Sequence, residues 1–259
     1  MSQTADRTLM VLDRVVSSEH PLGLMEIAKA VGLDKSVTSR LLRSLERRAF
    51  LQRDSASKKY SLGSRFIALS ITAIQRSGLA GIARNHLRRL RDRIGETVSI
   101  HLLVGRSRVC IDGNESPHEV RRALTLGEAL PIYLGPSSKA IMAFLPEHEL
   151  LEALQQAREA GIDVGQLERQ LAALRQQKYL SVSGDRTPSV GAISAPIFDS
   201  RGVTASLTAA GPIDRWTPPR METFAGDLLS TAAAISRELG GNFPMALPVA
   251  TGRSGEARS

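Results

Sequence analysis

The chain has 259 residues, enough for two modest domains, and its 42% hydrophobic and 23% charged residues are an ordinary balance for a globular protein. No apolar run reaches the roughly 18–20 residues of a membrane span, the N-terminus lacks a basic-then-apolar leader, and the lone cysteine, Cys110, excludes an intramolecular disulfide or a cysteine-rich metal site, so a cytoplasmic protein is expected. The net charge of +8 is concentrated: residues 1–100 hold 18 Lys/Arg against 9 Asp/Glu, while residues 101–259 hold 16 against 17.

A first helical pattern covers residues 6–17, with Leu9, Met10, Leu12, Val15 and Val16 as its apolar stripe, and His20-Pro21 breaks it. Gly23 stands at an N-cap position with Glu26 three residues on, a capping box without its hydroxyl. The short helix that follows stops at Gly32, and Asp34 is placed to cap a third helix over residues 35–48. Two short helices joined by a tight Gly-containing turn make a helix-turn-helix, here about residues 24–43.

The third helix puts Thr38, Leu41, Leu42 and Leu45 on one face. Its other face carries Lys35, Ser36, Ser39, Arg40, Arg43 and Arg47, with only Glu46 opposing the cations. Such a face suits the major groove, where Arg pairs bidentately with guanine. Next come two strand-like runs flanking a polar loop, from Arg53 through Lys58 and Lys59, which read as a wing whose cations meet phosphates. Residues 5–62 are thus expected to bind double-stranded DNA as a winged helix-turn-helix.

Residues 63–78 form a linker helix that is apolar nearly all round, which calls for another surface. A symmetry mate is the expected cover, through Phe66, Leu69 and Ile74, because groove-reading helices work in two-fold pairs. Beyond it, residues 79–94 are an amphipathic helix and residues 98–104 and 108–112 a hairpin, with a further strand expected at 121–125. Helices follow at 138–145, 147–160 and 165–177, then strands at 179–182, 190–198 and 203–210, and one last helix over 219–239. Hairpins with helices grouped around them predict an α+β domain on a mainly antiparallel sheet over residues 79–242, and residues 243–259 are expected to be a disordered tail.

A ligand is expected between the loop Leu134, Gly135, Ser137, Ser138, where a helix N-terminus offers free N–H groups to an anion, and strands carrying Ser194, Ser206 and Thr208. Asp185 and Arg186 lie in a polar loop placed to close that site, with Arg186 as a second anion contact. The competing reading is an enzyme with a DNA-binding appendage, using Ser137-Ser138-Lys139 as a Ser–Lys nucleophile pair. Adjacent residues rarely bring those side chains together, so no catalytic residue is expected. His101 and His118, with Asp112 and Glu115 between them, lack the tight spacing of a metal site, and neither metal nor cofactor is expected.

The stretch LMEIAKAVGLDKSVTSRLLRSLERRAFLQRDSASKKYSLGSRFIALS, closing on Tyr60-x-Leu62-Gly63, resembles the DNA-binding half of the IclR-type bacterial regulators. Residues 131–144, 193–199 and 207–212 resemble the same family's effector-binding domain, which is itself similar to the GAF sensory fold. The chain departs from the usual pattern at Ala49 and Ser138, where Gly is usual, at Val37-Thr38, where Thr then Val is usual, which implies that Val37 faces the DNA side, and at Ser189, where Gly often stands. The resemblance implies a homodimer or dimer of dimers whose operator binding, repressing rather than activating, responds to a small-molecule effector. It further implies that the effector is a carboxylate from carbon catabolism.

Overall fold

The computed structural model describes residues 2–244, so the tail expected from residue 243 lies, beyond Pro244, outside the described residues. The chain divides into two units, Met1–Ser77 and Gly78–Ser259.

In the first unit α1 (Gln3–Val16), α2 (Leu24–Val31) and α3 (Lys35–Arg47) enclose Val11, Val15, Ile27, Leu41, Leu42 and Leu45. The hairpin β1 (Leu51–Arg53) and β2 (Tyr60–Leu62) closes this core with Leu51 and Tyr60. Burying each large aliphatic chain contributes roughly 1.5–3 kcal/mol, so the stripe spacing is what assembles the three helices. Leu9, Met10 and Val16 of the expected α1 stripe stay exposed. At the start of α2, Gly23 N–H donates to Glu26 Oε2 at 2.6 Å, and α2 stops at Gly32 with φ +66°. Asp34 does not cap α3 with its carboxylate. Instead its carbonyl accepts from Thr38 N–H at 2.9 Å and from the buried Thr38 hydroxyl at 3.0 Å.

After α3 the chain turns through Ala49 at φ +57°, a left-handed conformation that costs a residue with a Cβ roughly 1–2 kcal/mol. A glycine would adopt it freely. Gly63 crosses this turn closely: its N–H donates to Phe50 O at 2.8 Å, Arg65 N–H donates to Ala49 O at 2.9 Å, and a Cβ on Gly63 would overlap the Ala49 carbonyl. The unit ends with α4 (Ser64–Arg76), none of whose residues is buried.

The second unit runs α5 (Leu79–Ile94), β3 (Thr97–Val104), β4 (Ser107–Asn114), β5 (Ala129–Pro131), α6 (Pro136–Met142), α7 (Glu147–Glu159), α8 (Val164–Gln177), β6 (Leu180–Ser183), β7 (Val190–Asp199), β8 (Gly202–Pro212), α9 (Pro218–Thr223) and α10 (Ala225–Glu238). The six strands pair antiparallel throughout, in the order β5-β4-β3-β8-β7-β6. One face of the sheet packs Val98, Ile100, Ile193, Ala195, Ile197 and Leu207 against α5, α10 and Trp216. Over the other lie α6 and α8, in a second core built on Ile132, Ile141, Met142, Leu167, Leu171 and Leu180. Side chains alternate along a strand, so Thr97, Ser99 and His101 of β3 point to the side opposite Val98 and Ile100.

Two expectations change here. Residues 121–125 form no strand, because the edge of β4 is taken further on, where Gly127 N–H donates to Cys110 O and Cys110 N–H to Glu128 O. The 121–125 segment is held instead by the Thr97 hydroxyl on Arg122 O at 2.6 Å and by Leu124 N–H on Glu115 Oε1 at 2.9 Å. The single last helix is two, divided at Phe224, whose ring stacks on Trp216 with centroids 5.7 Å apart.

Candidate DNA interface and ligand cavity

Lys35, Ser36, Arg40, Arg43 and Arg47 stand exposed along α3, and Lys58 and Lys59 at the wing. Every ion pair among the described residues lies beyond residue 83, so these cations face outward without a carboxylate partner. Val37 departs from the expectation that it faces DNA: it is half-buried against the small core. Ser39 is half-buried too. Arg53 braces the wing from within, donating to Lys58 O at 3.3 Å and lying 5.6 Å from the centre of the Tyr60 ring. The wing turn is closed by Asp54, which accepts from the Ser57 hydroxyl at 2.7 Å and from Ser57 N–H at 2.6 Å; both bonds hold its carboxyl below the usual range.

On α4, Leu69 is exposed as a partner contact requires, whereas Phe66 and Ile74 are half-buried. Ile67 and Ile71, apolar residues of the same helix, are about half exposed, at 51% and 50%.

The second unit holds a cavity of about 80 Å³ on the α6 side of the sheet, room for several waters or a small ligand. Thr97, Ser99 and His101 of β3, Arg108 and Cys110 of β4, and Thr208 and Ala210 of β8 form its floor. Residues 122–125, Glu128, Gly135, Ser137 and 185–187 form the walls. Of the expected ligand residues, Gly135, Ser137, Asp185, Arg186 and Thr208 therefore meet at one cavity.

Four others do not line it. The Ser138 hydroxyl donates to Pro131 O at 3.2 Å, and Leu134 turns to a neighbouring groove with Lys139 and Gln166. Ser194 is fully buried and exchanges a 2.9 Å hydrogen bond with Thr208, while Ser206 is fully buried at the position paired with His101. The supposed nucleophile pair is also dispersed, since Lys139 Nζ binds the Asp185 carboxylate. Nor do His101 and His118 converge with Asp112 and Glu115. Glu115 accepts from Arg121 and Leu124, Asp112 from Gly113 N–H, and no group of His, Cys, Asp and Glu able to hold a metal occurs among the described residues.

Sequence reasoning missed the charged floor. Arg108 is 4% exposed and donates from Nη1 to His101 Nδ1 at 2.9 Å. Arginine can only donate, so Nδ1 accepts. Burial first, then the charges of Arg108 and Arg186, hold His101 well below its ordinary pKa, and the ring is neutral. Nε2 therefore carries the proton and donates to Ser99 Oγ at 3.0 Å, leaving the serine hydrogen for a ligand. Glu128 Oε1 accepts from Arg186 at 2.9 Å, and its other oxygen lies 3.7 Å from Arg108. Arg108, Arg122 and Arg186 thus outnumber Glu128, Asp185 being taken by Lys139. Anion attraction comes from these guanidiniums more than from α6, which has only seven residues and begins with a proline that offers no N–H. The signal available in sequence was the alternation of Thr97, Ser99 and His101 with Val98 and Ile100, which gives a central strand one polar face.

Residues 4–55 match the family described as IclR helix-turn-helix domain, and residues 71–237 match Bacterial transcriptional regulator IclR C-terminal. Among curated relatives, the HTH-type transcriptional regulator KipR of Bacillus subtilis is 29% identical over 85% of this chain and 90% of its own length. The transcriptional repressor IclR of Escherichia coli is 25% identical over 92% and 90%. An IclR homolog from Microbacterium hydrocarbonoxydans, solved in complex with 4-hydroxybenzoate, shares the fold with a TM-score of 0.77 at 20% identity, covering 92% of this chain and 99% of its own.

Proposed function

Because this chain belongs to the IclR family of bacterial transcriptional regulators, and so is not an enzyme, we propose that it binds an operator as a homodimer, or dimer of dimers, and that a small organic acid in the second unit's cavity changes that binding. The observation that carries the DNA half is the exposed, unpaired cationic face of α3: Arg40 and Arg43 read base edges, Lys35, Ser36 and Arg47 flank them, and Lys58 and Lys59 hold phosphates. Ser39 contributes at the groove edge, and Arg53 shapes the wing. The unburied α4 supports pairing through Leu69 with Phe66 and Ile74, extended by Ile67 and Ile71.

The cation-rich cavity supports an acidic effector, with Gly135, Ser137, Arg186 and Thr208 around it. An IclR homolog of the same fold binds 4-hydroxybenzoate, an acid, and the E. coli relative is a repressor, which favours release of DNA on binding. A regulator acting on DNA works in the cytoplasm. Fluorescence anisotropy on duplexes selected from a random pool tests this reading. The selected duplexes should be inverted repeats with half-sites about one helical turn, or a multiple, apart. Lys58→Ala or Lys59→Ala should lower the salt slope by about one unit, and at least one of a panel of organic acids should shift the binding curve. Asymmetric sites, or a curve that no acid moves, would overturn the dimeric or the effector part respectively.

A further inference from the structure

We propose that Arg108 is the residue that holds the effector's carboxylate, and that Glu128 is a built-in competitor that partly occupies its place until the effector arrives. The inference rests on the reading above, that an acid binds in the cavity. Arg108 has a side chain only 5% exposed, yet it is poorly satisfied. A guanidinium has five N–H donors. One goes to His101 Nδ1, Nε is buried with no hydrogen-bond partner among the described residues, and Glu128, at 3.7 Å, lies inside ion-pair range but beyond a hydrogen bond. Desolvation of a charged group is costly, and a guanidinium paired with a carboxylate frequently makes a two-pronged bond. Here that bond is missing, and the incomplete guanidinium borders a cavity.

Glu128 is kept from completing the bond by its other commitments. Arg186 holds its Oε1 at 2.9 Å, and its backbone is fastened to β4 where Cys110 N–H donates to Glu128 O at 3.1 Å. It neutralises Arg108 from a distance without satisfying its donors. A free carboxylate has no such tether and can turn both oxygens to the guanidinium. Ser99 offers a further donor beside it, because its oxygen already accepts from His101 and its own hydrogen is free. The neutral His101 ring fixes both neighbours without adding charge. The ligand carboxylate then lies near Glu128, so the two negative charges compete for Arg108, and Glu128 sets how much acid is needed before the site fills. A neutral amide of the same shape has one accepting oxygen in place of two and no charge, so it gains far less.

The test uses the full chain and calorimetry with acetate, lactate, succinate, benzoate and 4-hydroxybenzoate, each beside its amide. Arg108→Met should weaken binding of the preferred acid about 10- to 100-fold, the value of one or two hydrogen bonds to a charged group, and weaken the amide far less. Glu128→Gln keeps the shape and removes the competing charge, and should tighten acid binding about three- to tenfold. Trp216 fluorescence reports whether the second unit is folded, and if Arg108→Met is not, Glu128→Gln decides alone. Acid binding to wild type that neither substitution alters would overturn the Arg108 and Glu128 roles and leave the acid effector standing. If wild type binds none of the acids, both readings fall.

Discussion

Arginine does opposite work in the two units. Arg40, Arg43 and Arg47 stand in solvent on one helix with no carboxylate near them, whereas every ion pair among the described residues belongs to the second unit. An exposed cation loses little by waiting for a phosphate, because water already solvates it. A buried one must be neutralised within the fold, and Glu96 shows the converse: fully buried, it is held by Arg215 through two hydrogen bonds of 2.5 and 3.0 Å. Charge in the first unit is therefore free to serve binding, and buried charge in the second is committed to folding before it can serve a ligand.

Arg215→Ala should show that commitment most strongly. It strands a buried carboxylate and is expected to cost about 3 kcal/mol, measured by urea unfolding followed at Trp216, the chain's single tryptophan. A loss under about 0.5 kcal/mol, the size typical of surface changes, would erase the contrast.

Arg40→Ala and Arg43→Ala should each cost about 1–3 kcal/mol of operator affinity, concentrated at particular base pairs. The same substitutions should leave stability within about 0.5 kcal/mol. Uniform losses across all sequences would reassign both residues to phosphates and remove base reading from α3.

A pH series separates the units further. His101 is buried neutral with its pKa depressed, so below about pH 6.5 the unfolded chain takes up a proton that the folded one refuses. Stability is complete above that pH. It should fall by up to about 1.4 kcal/mol per pH unit as the pH drops toward the folded value. Comparing urea midpoints of wild type and His101→Asn at pH 7 and 5.5 checks this, and parallel curves would mean that His101 is not the cause.

The smallest change expected is a gain. Ala49→Gly relieves the left-handed turn after α3 and should stabilise the first unit by about 1 kcal/mol, without moving the Trp216 transition. A neutral or destabilising result in thermal unfolding would show that the turn is not strained.

The sequence by itself determined the first unit almost completely. Its signals are local: the stripe of Leu41, Leu42 and Leu45, the stop at Gly32, and the cations gathered on one helix and one hairpin lie within a few residues of what they shape. It also revealed the Arg186 loop and the Gly135–Ser137 turn as cavity walls, because glycine, proline and small polar residues mark such loops wherever they fall. Beyond the polar alternation of Thr97, Ser99 and His101, only the tertiary structure decided the floor. Arg108 meets His101 across a hairpin whose register shifts between Ile100 and His101, Glu128 arrives from a segment beyond β4, and Ser194 and Ser206, polar residues that looked equally exposed to a ligand, are covered by α6 and their neighbours in the sheet. Which of several similar side chains faces a cavity depends on register and on helices packed from far along the chain, and neither leaves a mark on the residues nearby.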